Sequence, residues 1–151
     1  MITTYKVDFK SVDEILKERG LLPGGTIQKY LTNEIIRISD PYVPFDNGPL
    51  KNQIAVAMDG TYYDYISPYA CYHWYGKLMV DPVTKKGAFF NPNYGFWSRP
   101  GVPKELTNKD MNYRGAPMRG PKWTMRAWAD NQNQVISNLE RKLNKWQLLK
   151  V

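Results

Sequence analysis

Residues 54–66 read Ile54-Ala55-Val56-Ala57-Met58-Asp59-Gly60-Thr61-Tyr62-Tyr63-Asp64-Tyr65-Ile66. Two runs rich in β-branched and aromatic residues flank Asp59-Gly60, the pattern of a β-hairpin. A two-residue connection there predicts a type I′ turn, with positive φ at both central residues. Helical patterns stand on both sides of this hairpin, so the fold class predicted is α+β.

On the N-terminal side, Ser11-Val12-Asp13-Glu14 has the spacing of a capping box. Val12, Ile15 and Leu16 then share a helical face, and Gly20 supplies a left-handed stop. A second helix is predicted from Thr26 to about Ser39, with Ile27, Tyr30, Leu31, Ile35 and Ile38 as its apolar stripe. Pro41 ends it. The stretch 41–50, with three prolines and Asp46-Asn47-Gly48, reads as turns without regular structure.

On the C-terminal side, Pro68 opens a short helical segment holding Tyr69, Cys71, Tyr72, His73, Trp74 and Tyr75, closed by Gly76. Lys77-Leu78-Met79-Val80 reads as a strand returning to the hairpin's sheet. Residues 79–121 show little periodicity and hold six prolines and five glycines. They read as a long irregular arm. The clearest helix follows Pro121, with Trp128, Val135, Ile136, Leu139, Leu143 and Trp146 at helical spacing. The expected protomer is one domain over 1–151, with a small antiparallel sheet, two N-terminal helices, a long C-terminal helix and an arm at about 79–121. The hairpin and last helix are expected to build its core.

The length of 151 residues suits one domain with a real core. With 42% hydrophobic and 23% charged residues, whole-chain disorder is excluded. Mean hydropathy is −0.56 and no apolar run approaches a membrane span. The start Met1-Ile2-Thr3-Thr4-Tyr5-Lys6-Val7-Asp8 has no apolar signal-peptide core. One cysteine and one histidine preclude an intrachain disulfide framework and leave little room for a metal site. No cofactor is expected.

Three candidate chemistries are weak. Cys71 and His73 are two residues apart, which on a helix points them different ways, and no third orienting group is identifiable. Pro23-Gly24-Gly25-Thr26 precedes a helix but lacks the spacing and lysine of a phosphate loop. Asp40 and Asp46 could pair as carboxylates, but a turn role for Asp46 explains it better.

The unusual numbers are aromatic and basic. The chain has five tryptophans, five phenylalanines and eleven tyrosines, and a net charge of +7. Residues 1–68 carry 7 basic and 9 acidic side chains, net −2, whereas residues 69–151 carry 14 and 5, net +9. Between Lys85 and Arg126, nine positive charges interleave with Phe89, Phe90, Tyr94, Phe96, Trp97, Tyr113 and Trp123. Such a pattern fits single-stranded nucleic acid or a protein interface anchored by Trp, Tyr and Arg. The prolines and glycines favour the interface, because a loop-rich arm finds burial for its rings more readily on a neighbour. Phe89, Phe90, Trp97, Arg99, Tyr113, Arg114, Arg119 and Lys122 are the candidate partner-contact residues.

Three stretches resemble a known family. Pro41-Tyr42-Val43-Pro44-Phe45-Asp46-Asn47-Gly48-Pro49-Leu50-Lys51-Asn52 is similar to a P-x-D-T-G-x-L-K/R signature, with Asn47 in place of threonine and Pro49 in place of a less constrained residue. Ser67 to Lys77 is similar to a following Y-A-x-Y…F/Y-G segment. Asn108 to Trp123 resembles the stretch leading into a long last helix. The family is the minor capsid, or tail-completion, proteins of long-tailed bacteriophages, which sit in the neck joining head to tail. The resemblance implies an α+β protomer forming a homo-oligomeric ring in the virion, assembled in the host cytoplasm. Its neighbours would be a head-side stopper or connector and a tail terminator or tube. It would leave a channel for DNA and bring no catalytic residues. Asp46, Asn47 and Gly48 would fix the loop into the sheet, with Leu50 in the core. The alternative is a basic nucleic-acid-binding module.

Overall fold

The computed structural model describes residues 10–45, 49–67 and 69–148. The start of the chain, Asp46, Asn47, Gly48 and Pro68 lie outside the described residues, as do the side chains of Phe96 and Trp146. The fold is α+β: five helices and three two-stranded antiparallel ribbons are described.

Local chemistry sets the first two helices. Helix α1 spans Val12–Glu18 behind the capping box, with Glu14 N–H on Ser11 Oγ at 3.2 Å and Ser11 N–H on Glu14 Oε2 at 2.8 Å. Gly20 adopts φ +70 and Leu21 N–H reaches back to Leu16 O at 2.9 Å, the six-to-one bond of a glycine stop. The expected apolar face does not become core: α1 buries no residue, and Val12 is 71% exposed. Helix α2 spans Thr26–Ser39, as expected, and buries Ile27 and Ile38. The region read as turns contains a short helix, α3 (Pro49–Asn52), which seats Leu50 in the core.

Strands β1 (Ile54–Val56) and β2 (Tyr63–Tyr65) form the hairpin, with Ile54 opposite Tyr65 and Val56 opposite Tyr63. Its connection differs from the expected two-residue turn. Ala57 N–H pairs with Tyr62 O, and Gly60 N–H with Ala57 O, which leaves a loop of Met58 to Thr61. Gly60 alone in that loop has positive φ (+72), so the turn is not type I′. The reason is tertiary. The loop docks on α2, where Gly60 O accepts from Thr32 Oγ1 at 2.5 Å and Gln28 Nε2 at 3.1 Å.

Helix α4 (Ala70–Tyr75) ends at Gly76, φ +71, as the sequence predicts. Strand β3 (Lys77–Val80) does not return to the hairpin; it pairs with β6 (Glu105–Asp110). Between them, β4 (Phe89–Asn91) and β5 (Gly95–Trp97) pair in a second hairpin. The stretch expected to be irregular therefore holds strands of two antiparallel ribbons, with irregular segments between and after them.

Helix α5 spans Trp123–Leu148 and runs antiparallel along α2. Asn138 Nδ2 donates to Glu34 Oε2 at 2.9 Å, Lys142 Nζ lies 5.4 Å from the Tyr30 ring, and Ser39 Oγ meets Thr124 Oγ1 at 3.4 Å. Arg37 and Asn138 hold the buried Glu34 carboxyl below its usual range. The core comprises Ile38, Tyr42, Val43, Leu50, Trp123, Ala127 and Val135, with Tyr65, Trp74 and Leu139 packed against it. The α2–α5 pair and the turn after α2 thus supply most of it, rather than the hairpin. Of the expected α5 stripe, Val135 is buried and Leu139 packs on the core, while Trp128 and Ile136 are exposed and Trp123 and Ala127 take the buried positions near the helix start.

Replacing Trp123 by alanine removes the largest fully buried side chain, and its expected cost is about 3–5 kcal/mol in urea unfolding. Gly60→Ala is expected to lose about 2 kcal/mol in the same assay, since the new Cβ would lie 3.0 Å from Lys29 Cα at a left-handed φ.

Candidate functional site

The basic, aromatic stretch is held together by its own charges. Asp81 ends β3 with its carboxylate buried. Its Oδ1 accepts Val83 N–H and Thr84 N–H, each at 2.9 Å, which fixes the turn after the strand. Arg99, just beyond β5, grips the same carboxylate with Nε on Oδ2 at 2.7 Å and Nη2 on Oδ1 at 2.5 Å. The guanidinium first, then the two turn amides, hold Asp81 far below the ordinary carboxylate range. Lys85–Glu105 and Lys77–Asp110 pair across the ribbon, and Lys104 caps Gly87 O.

On this base stands the β4–β5 hairpin. Phe89 faces Trp97 across the strands with ring centroids 5.1 Å apart, and Tyr94 meets the same indole edge-on at 6.4 Å. Gly95 takes φ +79 where the loop rejoins β5, and Asn91 Oδ1 caps Asn93 N–H at 2.9 Å. Phe90 is 64% exposed and Tyr94 65%, and the stacked Trp97 keeps more than a third of its surface in solvent. Much of the apolar surface of these rings therefore faces solvent.

The eight candidate contact residues separate into two groups. Phe89, Phe90 and Trp97 share the hairpin, and Arg114 is exposed. The polar groups of Arg99, Tyr113 and Arg119 tie the chain to itself. Tyr113 Oη donates to His73 O at 2.6 Å, and Arg119 Nη1 donates to Val43 O at 2.7 Å while lying 5.0 Å from the Phe45 ring centroid. Lys122 is exposed, with φ +49, and its N–H meets Trp74 O at 3.0 Å to start α5. Trp123, counted in sequence among the interleaved aromatics, belongs to the core.

A second feature had no signal in the sequence. Tyr63, Tyr65, Trp74, Tyr75 and Trp123, with Asp64 and Cys71, line an open cleft of about 480 Å³ between β2, α4 and the start of α5. Its floor is rigid. Tyr65 and Trp74 both meet Trp123 edge-on, at 5.3 and 4.9 Å. Tyr63 Oη hydrogen-bonds Thr124 Oγ1 at 3.0 Å. Burial pushes the Tyr65 hydroxyl well above its ordinary pKa, so it stays protonated.

The remaining candidates acquire no chemistry from the structure. Cys71 is exposed and His73 half-buried, with a pKa lowered by burial, and no hydrogen bond joins the two among the described residues. At the start of α2, Ile27 N–H and Gln28 N–H both bond Gly20 O, and Gly24 N–H bonds Asp59 O, so those amides are engaged. Asp40 pairs with Lys51 at 2.8 Å. Among the described residues there is no group of three or more His, Cys, Asp or Glu able to hold a metal ion, and no helix long and apolar enough to cross a membrane. No family model, curated protein or solved structure matches this chain.

The Asp81 clamp gives a direct test of how the ribbon is held. Asp81→Asn is expected to speed hydrogen exchange at the Val83 and Thr84 amides on the order of tenfold, since both lose a charged acceptor. In the unmodified chain the same protection persists above the normal carboxylate pKa of about 3.9. It is lost only as pH falls toward the depressed folded value.

Proposed function

We propose that this chain is a structural, non-catalytic protein of a bacteriophage neck, a ring-forming component that joins the head connector or stopper to the tail and leaves a passage for DNA. The observation that carries this reading is the β4–β5 ribbon. It presents Phe90, Tyr94 and Trp97 to solvent on a clamped scaffold, and interfaces are enriched in such aromatic residues. The resemblance of Pro41–Asn52, Ser67–Lys77 and Asn108–Trp123 to tail-completion proteins supplies the location. The chemistry of the surface supports a mechanical role. Aromatic anchors bury area against neighbours, and many modest contacts around a ring sum to an avidity that one pair lacks. The head-side stopper or connector and the tail terminator or tube would be the other partners.

The excess of positive charge gives a nucleic-acid module as the competing reading, and two measurements separate them. Gold-labelled antibody to this chain is expected at the head–tail joint of assembled particles, and particles lacking the chain are expected as unjoined heads and tails. Label on the capsid shell or tail tip overturns the proposal. Affinity for free DNA is expected to be weak; tight binding whose logarithm falls by about 0.9 per neutralised phosphate with log salt would favour the nucleic-acid module.

A further inference from the structure

We infer that the cleft between β2, α4 and the start of α5 binds a quaternary or methylated ammonium group, a site that goes beyond the joining role and does not depend on it. Five of its nine lining residues are aromatic: Tyr63, Tyr65, Trp74, Tyr75 and Trp123. Successive rings stand near right angles, Tyr63 to Tyr65 at 70°, Tyr65 to Trp123 at 84° and Trp123 to Trp74 at 89°. Rings set this way form corners rather than a flat stack, so a guest meets ring surface from more than one direction. The volume of about 480 Å³ falls within the range of small-molecule sites and leaves room for a body beyond the ammonium head.

The chemistry of the guest follows from what the cleft leaves available. The chain has 21 lysines and arginines, yet none lines the cleft, and exposed Asp64 is the one charged residue of its lining. Lys122 adjoins Trp123 in sequence, but its side chain is exposed and its N–H bonds Trp74 O. Hydrogen-bonding atoms are few. Tyr63 Oη and Thr124 Oγ1 satisfy each other at 3.0 Å, and Tyr65 Oη and Trp123 Nε1 are buried out of a guest's reach. A sugar needs a set of free polar partners and an anion needs a cation, and the lining supplies neither. It supplies aromatic faces, which carry the negative part of the ring quadrupole, and these attract positive charge. A primary ammonium is strongly hydrated and holds its water. A methylated one sheds water at less cost, which is why aromatic cages select it.

The indole N–H signals of the full chain in nuclear magnetic resonance give the test. Titration with choline is expected to shift the Trp74 and Trp123 signals saturably. Trp97 and Trp128 line no part of the cleft and are expected to stay in place, and sodium chloride at equal concentration is expected to move none of the four. The neutral alcohol in which carbon replaces the nitrogen of choline has the same shape without the charge. It is expected to bind about tenfold more weakly. Tyr75 ends α4 and is 60% exposed, so it can be changed without opening the core. Tyr75→Ala is expected to weaken choline binding about fivefold, and Tyr75→Phe to retain it. Equal binding of choline and the neutral alcohol, equal shifts at Trp97 and Trp128, unchanged affinity in Tyr75→Ala, or no saturable shift at Trp74 overturns the site. The same head group occurs free and on lipids. Choline binding without cosedimentation with phosphatidylcholine vesicles assigns the free molecule, and cosedimentation that choline competes away assigns the lipid.

Discussion

The burial of Trp123 is the constraint on which the other elements depend. The indole begins α5, lies 2% exposed, and receives the edges of Tyr65 from the hairpin and Trp74 from α4. Three elements distant in sequence are fixed at one residue. The neighbouring backbone conforms to it. Pro121 packs against Gly76, where a Cβ would lie 2.8 Å from the proline ring, and Lys122 accepts a left-handed φ that costs an L-residue about 1–2 kcal/mol. That cost is offset by burying an aromatic side chain and by the Lys122 N–H bond to Trp74 O. Tyr42 braces the same corner from the other side. It is buried after α2, and its hydroxyl donates to Asp130 Oδ2 at 2.7 Å.

From that corner the ribbon runs outward under different physics. Strand β6 is almost wholly exposed, so hydrophobic burial contributes little there. The ribbon is ordered by cross-strand ion pairs, by Thr107 Oγ1 on Leu78 O at 2.8 Å, and by the Asp81 carboxylate serving two amides and a guanidinium. Exposed pairs are weak singly. The Asp81 site differs because its carboxylate side chain is only 6% exposed and its contact with Arg99 is bidentate. The chain can therefore present aromatic rings on a fixed scaffold without a core beneath them.

What the sequence reveals follows the range of the interactions involved. The capping box of α1, the limits of α2 and the glycine stops at Gly20 and Gly76 are local, and all were legible. The hairpin was legible but its turn was not, because the turn answers to Lys29 and Thr32 on α2, some thirty residues away. Strand β6, Glu105-Leu106-Thr107-Asn108-Lys109-Asp110, has no alternation, since neither face is buried and its order comes from partners on β3. The face of α5 was legible at Val135 and Leu139 but not at its start, where Trp128 matches the period while Tyr65 and Trp74 select Trp123. Arg99, Arg119 and Tyr113 look like free anchors in sequence for the same reason: the carboxylate and carbonyls they engage are distant along the chain. The cleft has no sequence signature at all, being a space left between elements.

Order in the ribbon bears on how binding would work. A loop that must fold on its partner loses conformational entropy at that moment, about 0.5–1.5 kcal/mol for each side chain immobilised. In the β4–β5 hairpin Phe89, Tyr94 and Trp97 are already stacked, and their strands are already clamped through Asp81 and Arg99. The hairpin within the arm is thus built before any contact forms, and more of its aromatic contact area becomes available as affinity. In the neck joint proposed above, anchors already held in place would bind with less ordering loss and transmit force without first being stretched.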